Sequence, residues 1–242
     1  MNFMVRPSKS FLFDFLEGKL KKFNQGIGLD AASADFKNRK FFQTEKYFGL
    51  DIDLAVLKSG VAKYNDDRTF GLYADLTNLE SLPENSVEVL VSTNTLYSLP
   101  LDSRIGAIEG LCRLVAPKGW FFCELSLDNK FSQCLVVIKK YFKKVKVIYY
   151  KNIFSQAYEN FFERDGYLGS HPIAGLRPFR FGSWLISRLE YLTNRFPSLN
   201  KEVIVIAQEK NNQDKKNDFN LDNLPIINEK IYQLKKYYVY PK

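Results

Sequence analysis

Histidine is almost absent: His171 is the single one in 242 residues. Cysteine is scarce too. Cys112, Cys123 and Cys134 make an odd number, and no close pair has metal-ligand spacing. A His/Cys metal centre and a disulfide framework are thereby excluded. Each cysteine lies in an apolar context, where a free thiol acts as a small hydrophobe, which fits a reducing compartment. No apolar run approaches the roughly 18 to 20 residues of a membrane span. The first twenty residues carry Asp14 and Glu17 and lack an apolar core, so they do not read as a secretory signal. A cytoplasmic protein is expected. Internal repeats are lacking. Acid is missing from Lys130 to Lys151, a stretch with seven lysines.

What is present suits one large α/β domain. Hydrophobic residues make up 45% and charged ones 26%, the balance of a soluble globular chain. Aromatics are high at 15%, and they gather after Lys130. The net charge is +8. That fits nucleic acid, anionic lipid or acidic substrates, and equally a solvated lysine-rich surface; the solvated surface is the simpler reading.

Three short apolar runs organise the chain. Ile27 to Ala32, Tyr47 to Asp51 and Phe70 to Ala74 read as strands, and an acid closes or follows each: Asp30, Asp51 and Asp75. Further strands are expected at Val87 to Ser92, Trp120 to Leu125, Val145 to Tyr150 and Glu202 to Gln208. Helices are expected at Ser8 to Phe23, Leu54 to Tyr64, Ser103 to Val115 and Phe131 to Phe142. Alternating strands and helices imply parallel pairing with right-handed crossovers. In such a sheet, ligands sit at the carboxyl ends of the strands. The alternation breaks at Ile153 to Pro197, an aromatic insertion whose middle, Gly166 to Gly182, reads as loop. Residues 211–223 are polar and read as a linker or disordered. Ile226 to Tyr240 is apolar enough to dock as a short helix or strand.

The pieces, taken in order, are similar to class I S-adenosylmethionine-dependent methyltransferases of the small-molecule kind, methyltransferase type 11. The resemblance rests on Leu29-Asp30-Ala31-Ala32-Ser33-Ala34, Gly49-Leu50-Asp51, Ala74-Asp75-Leu76, Ser81-Leu82-Pro83, Val87-Glu88-Val89-Leu90, Asn94-Thr95-Leu96 and Arg113-Leu114-Val115-Ala116-Pro117-Lys118-Gly119. It covers roughly 40% of the chain, from about Gly26 to Leu125. It implies an α/β, Rossmann-like, mostly parallel seven-stranded sheet with helices on both faces. The last strand would be antiparallel, and the aromatic insertion (153–197) would precede it. The methyltransferase-like domain would span 1–210, with 211–242 as a polar linker and C-terminal extension.

The same resemblance implies S-adenosyl-L-methionine as cofactor. Asp51 would accept from both ribose hydroxyls, since one carboxylate has lone pairs for two donors. Ile52 would lie beside it. Asp75 and the Leu76 amide would read the adenine. Ala32 and Ser33, in the first turn, would pass under the methionine end, with Asp30 steadying that turn or the ammonium group and Asn94 near the sulfonium. No metal is implied. The first turn departs from the family pattern, because Ala32 and Ala34 stand where glycines are usual.

Each of these residues has a plainer reading. Asp51 could cap the next helix, and Asp53 reads as a cap or surface acid. Asp75 could form a turn. His171, in a Gly-Ser-His-Pro loop, could serve as general base for a hydroxyl nucleophile, though lone loop histidines are more often incidental. The aromatic insertion could pack as a cap or line the acceptor pocket. Its arginines (Arg177, Arg180, Arg188, Arg195) suit an acidic, phosphorylated or lipid-headgroup acceptor. The run Phe179 to Phe196 could also lie on a membrane surface, which ranks below packing. The function expected is methyl transfer, chiefly to oxygen, on a small-molecule, glycan or lipid acceptor. The rival is a catalytically inactive methyltransferase-like binding or scaffold protein. Nucleic acid is disfavoured as a partner, since Ser92-Thr93-Asn94-Thr95 lacks an Asn-Pro-Pro-Tyr signature. The oligomeric state is not legible in the sequence.

Overall fold

A computed structural model describes residues 4–162, 172–211 and 215–234. The chain divides into two compact units, Met1–Lys19 with Val147–Ile204, and Leu20–Lys146 with Val205–Lys242.

The larger unit is built on strands β1 (Ile27–Ala31), β2 (Lys46–Asp51), β3 (Thr69–Tyr73), β4 (Val87–Ser92) and β5 (Val115–Ser126). With β6 (Phe142–Asn152), β7 (Asn200–Lys210), β8 (Ile226–Asn228) and β9 (Ile231–Gln233) they form a nine-stranded sheet of order β6-β7-β5-β4-β1-β2-β3-β9-β8. The expected count was seven; the two extra strands come from the C-terminal segment. β1 pairs in parallel with β2 and β4, β2 with β3, β4 with β5 and β3 with β9. β8 and β9 form an antiparallel pair. Adjacent strands of this kind bury apolar residues on both faces, so β1, β2 and β4 read as near-continuous apolar runs. Leu29, Leu50, Val89, Leu90 and Phe121 are all fully buried.

Helix α2 (Leu54–Tyr64) starts where Asp53 accepts from Ala55 N at 2.8 Å and Val56 N at 3.3 Å. It stops where Asn65 takes a left-handed φ of 35°. Asp53 is thus the cap that the sequence suggests. α3 (Leu101–Leu114) and α4 (Phe131–Tyr141) follow β4 and β5. The α3 C-terminus is satisfied by Lys210, 7% exposed. Its Nζ donates to Arg113 O at 2.8 Å, Val115 O at 3.0 Å and Asn85 Oδ1 at 2.5 Å. A cation on the last carbonyls also suits the helix dipole. The Ala116-Pro117-Lys118-Gly119 stop is real, but β5 begins at once and bulges there. Val87 pairs with Val115 and Val89 with Trp120, five steps against two. Gly119 is required by closeness: an added Cβ would stand 2.8 Å from Val87 O.

Two crossovers lack an α-helix. Between β1 and β2 there is only a turn and the 3-10 segment Arg39–Phe41, and β3 to β4 is a loop. In place of the first helix, Phe36 is fully buried with φ 62°. Its ring fills space left by Gly49 and Gly60, where an added Cβ would meet it at 2.1 and 2.6 Å. In place of the second, the segment after β7 crosses the sheet. Phe219 packs on Phe48 at 4.8 Å, and Asn217 N donates to Asn85 O at 3.1 Å. The polar run read as a linker or disordered is therefore, from 215 onward, laid against this unit. β9 then extends the sheet along β3.

The smaller unit holds α1 (Pro7–Leu20, up to Lys19), α5 (Ile153–Phe162), α6 (Arg177–Ser187) and the four-residue α7 (Glu190–Thr193), with the adjoining parts of β6 and β7. The expected loop Gly166 to Gly182 is corrected within its described part: Pro178 sits in the first turn of α6, where its missing N–H costs nothing, and it starts the helix. Phe11 stacks on Tyr150 at 5.7 Å and meets Tyr191 edge-on at 5.1 Å. Asp14 accepts from Trp184 Nε1 at 3.0 Å and Arg188 Nη2 at 2.7 Å.

Candidate functional site

Strand register brings the candidate residues together at one end of the sheet. Ala31 of β1 pairs with Leu50 of β2 and Ser92 of β4, Asp51 pairs with Tyr73 of β3, and Ser92 pairs with Cys123 of β5. The carboxyl tips of β1 to β4 are therefore nearly level, with β5 running on to Ser126, and Asp51, Asp75 and Asn94 lie at or just beyond these tips.

The first turn is strained in a telling way. Ala32 and Ala34, at the usual glycine positions, have φ of 59° and 46°. The backbone keeps a glycine-like path while carrying methyl groups, at a cost of about 1–2 kcal/mol per residue. The turn is held mainly by side chains. Ala34 N donates to Asp51 Oδ2 at 2.8 Å, and Ser33 N to Leu50 O at 2.9 Å. Asn38 Nδ2 bridges Asp30 Oδ1 at 3.1 Å and Thr93 Oγ1 at 3.2 Å.

Two of the expected cofactor residues, Asp30 and Ser33, are buried at this turn. Asp30 is fully buried, with Tyr47 Oη donating to Oδ2 at 2.9 Å. Burial outweighs those hydrogen bonds and, with the nearby Asp51 charge, pushes its pKa up to about 7. Of the two roles suggested for it, steadying the turn is the one the side chain performs. Ser33 is 3% exposed, with its hydroxyl 3.4 Å from Leu50 O.

The other expected residues lie at or beside the strand tips. Asp51 is half-buried, and its Oδ1 accepts from Asp53 N at 3.0 Å. Each carboxylate oxygen thus takes one amide and keeps a lone pair. Ile52 beside it is 52% exposed, an apolar side chain set at a strand tip. Asp75 Oδ1 accepts from Thr77 N and Oγ1, both at 2.8 Å, and Oδ2 takes no bond among the described residues. The Leu76 amide likewise donates to no described residue. Asn94 is exposed with φ 61°, and Glu124 Oε2 accepts from its amide at 2.8 Å. His171 lies outside the described residues.

Sequence reasoning missed Asn38 and Glu124. Glu124 is 1% exposed within Phe121-Phe122-Cys123-Glu124-Leu125. An acid inside so apolar a strand is a signal in itself, since a buried carboxylate must have partners. Asn38 left no comparable mark. A cavity of about 820 Å³ opens elsewhere, by the amino ends of β4 and β5, lined in part by Glu88, Lys118, Trp120 and Lys143. It shares no residue with the strand tips. We place the candidate site at the tips, where unpaired donors and acceptors converge.

Residues 24–123 match the family model described as a methyltransferase domain. No curated protein matches the sequence. Among solved structures, the [4+2]-cyclase SpnF aligns with a TM-score of 0.56 at 12% identity, over 83% of this chain and 81% of that one. Geranyl diphosphate C-methyltransferase from Streptomyces coelicolor A3(2), crystallised with S-adenosyl-L-homocysteine, gives 0.55 at 10%, over 83% and 80%. The N-methyltransferase NodS from Bradyrhizobium japonicum WM9, also with S-adenosylhomocysteine, gives 0.53 at 10%, over 83% and 85%. At these identities the likeness is one of fold, and that fold is the class I S-adenosylmethionine-dependent methyltransferase fold.

Proposed function

We propose that this chain, which carries a methyltransferase domain over residues 24–123, binds S-adenosyl-L-methionine at its strand tips and methylates an oxygen of a small-molecule, glycan or lipid acceptor. The observation that carries the reading is a set of unused hydrogen-bonding groups in one place. Asp51 has lone pairs for two ribose hydroxyls. Asp75 Oδ2 and the Leu76 N–H suit an adenine amino group and ring nitrogen. Ile52 offers the apolar surface that a purine face needs. The residues present therefore fit the cofactor, with one reservation in the first turn, where two Cβ atoms narrow the approach of its methionine end.

S-adenosylmethionine, when bound, supplies an activated methyl group on a sulfonium, so no metal is needed. The chain's own work is alignment and proton handling. The first turn, braced by Asp30, Asn38 and Asp51, sets the depth of the methionine end. Asn94, fixed through its amide by Glu124, stands at the next strand tip. His171 is assigned as the base that takes the acceptor's hydroxyl proton.

Isothermal titration with S-adenosylhomocysteine tests the cofactor assignment. Hydrogen bonds to a charged group contribute about 1.5–3 kcal/mol, so Asp51→Ala should weaken binding by tenfold or more. Asp51→Asn, which keeps an acceptor for one turn amide, separates ligand contact from turn support. Unchanged affinity in both variants defeats the ribose assignment. His171→Ala should lower kcat with affinity for S-adenosylhomocysteine kept; equal turnover removes it from the site.

A second reading, a non-catalytic binding or scaffold protein, is favoured by one observation: Asp51 already receives two backbone amides beneath an alanine-lined turn. No heat of binding from the native chain at millimolar ligand would select it.

A further inference from the structure

A surface helix of a water-soluble domain turns its apolar stripe inward. The three helices between 153 and 193 do the reverse. α5 buries Ser155 and Glu159 and exposes Ile153, Phe154 and Phe161 at 49%, 48% and 75%. α6 buries Ser183 and Ser187 and exposes Phe181 and Leu185 at 48% and 49%. α7 buries Glu190 and Thr193 and exposes Leu192 at 71%. Nine of the twelve exposed large apolar side chains among the described residues fall between Ile153 and Phe196. Scattered ones are ordinary on any protein; such a concentration marks an interaction face.

The inward carboxylates are hydrogen-bonded, which stabilises the inversion, while the buried Ser183 hydroxyl has no hydrogen-bond partner among the described residues. Glu190 accepts from Asn152 N at 3.1 Å and from the Ser155 hydroxyl. Glu159 accepts from Ser8 Oγ at 2.5 Å and pairs with Lys151. Asn152 Nδ2 donates to Thr193 Oγ1 at 3.0 Å. Turning these helices over would carry Glu159 and Glu190 into water and leave their buried donors, the Ser8 hydroxyl and Asn152 N, unpaired, at about 1–3 kcal/mol each.

Charge selects what covers the face. From Pro172 to Asn200 the only carboxylate is that of Glu190, which is fully buried. Arg177 and Arg195 are exposed, and Arg180 and Arg188 half-exposed. A second copy of the chain would bring the same positive charge against it. A nucleic acid would meet the arginines but leave the Phe and Leu stripes wet. An anionic bilayer supplies both halves: phosphates for the guanidinium groups and an acyl boundary for the rings. None of the described helices is long and apolar enough to cross a membrane, so the contact is one of lying on the surface. The sequence alone ranks this below packing; the outward turn of α5 and α6 reverses the order.

We propose that the apolar, arginine-flanked face of α5, α6 and α7 docks on the surface of an anionic phospholipid bilayer. The test is co-sedimentation of the full chain with vesicles of phosphatidylcholine alone and with about 30 mol% phosphatidylglycerol. Binding is expected only to the anionic vesicles, falling as salt rises. Phe181→Ser with Leu185→Ser, and separately Arg177→Glu with Arg195→Glu, should each weaken it by about tenfold or more. All four positions are solvent-exposed, so unaltered thermal melting confirms that the variants fold. No binding by the native chain to anionic vesicles overturns the proposal, as does binding that both variants retain. A dimer in sedimentation velocity that Phe181→Ser with Leu185→Ser dissociates, without vesicle binding, assigns the face to a second copy instead.

Discussion

Replacing Ala32 and Ala34 together by glycine should stabilise the protein. In most folded segments an alanine-to-glycine change costs about 0.5–1 kcal/mol, because glycine loses more backbone freedom on folding. Here the two alanines have φ of 59° and 46°, a region that costs an L-residue about 1–2 kcal/mol. The difference favours glycine by about 0.5–1 kcal/mol at each position, hence about 1–2 kcal/mol for the pair. Both residues are only half-buried, so little packing is lost with their methyl groups. For a chain of this size that corresponds to a rise in Tm of roughly 2–8 °C. Ala31→Gly is the control: Ala31 is fully buried in β1 and has no positive φ, so it should lower Tm. Differential scanning calorimetry of the three proteins reads the outcome. Removing the two Cβ atoms should also leave S-adenosylhomocysteine affinity equal or higher, since the backbone can then approach a ligand. A lower Tm in the double variant would refute the reasoning, because it would mean that the turn does not hold its alanines in the left-handed region.

Two further outcomes are expected. The Asp30 carboxyl, ordinarily near 3.8 but pushed to about 7 by burial, binds more protons folded than unfolded, so stability should fall as pH rises from about 4 to about 7. Asp30→Asn, which can still satisfy Asn38 and Tyr47, should reduce the fall in stability between pH 5 and pH 8 by up to about 3 kcal/mol, as read from urea midpoints at those two values; an unchanged fall counts against a protonated Asp30. Lys210→Met removes three hydrogen bonds at the end of α3, to Arg113 O, Val115 O and Asn85 Oδ1, at about 1–3 kcal/mol or more; a urea midpoint like that of the native chain would show that Lys210 is not needed there.

The parts of the fold visible in the sequence are those that short-range patterns encode. Apolar runs located β1 to β7, and the acid closing β2 pointed to the candidate site, because in a parallel sheet the strand tip and the ligand cleft coincide. Asp53 was legible as a cap for the same local reason. β8 and β9 were legible only as an apolar stretch able to dock as helix or strand, since three residues each carry no period. They are strands only because β3 offers an edge. α6 was hidden by Pro178, which breaks a helix in its middle but starts one at its first turn. Asp30 looked like a ligand residue because sequence gives no sign of burial. Its partners lie 8 and 17 residues away. Phe36 was the least legible of all, as no pattern announces an aromatic residue at positive φ.

Phe36 and Phe219 nevertheless explain how the sheet is covered. A parallel sheet needs both faces buried, and crossover helices usually do this. With the first crossover reduced to a turn, two glycines, Gly49 and Gly60, open a hole that one phenylalanine fills. With the β3–β4 crossover also lacking a helix, Phe48 and Phe70, stacked at 5.1 Å, are covered from the C-terminal segment, Phe48 by Phe219 and Phe70 by Tyr232. The C-terminal segment is thus part of the core layer of its unit. A consequence follows for the site. In related folds a helix N-terminus can brace the first turn and supply partial positive charge to a ligand. Here no α-helix follows that turn, so the side chains of Asp30, Asn38 and Asp51 brace it together with the Ser33 N to Leu50 O bond.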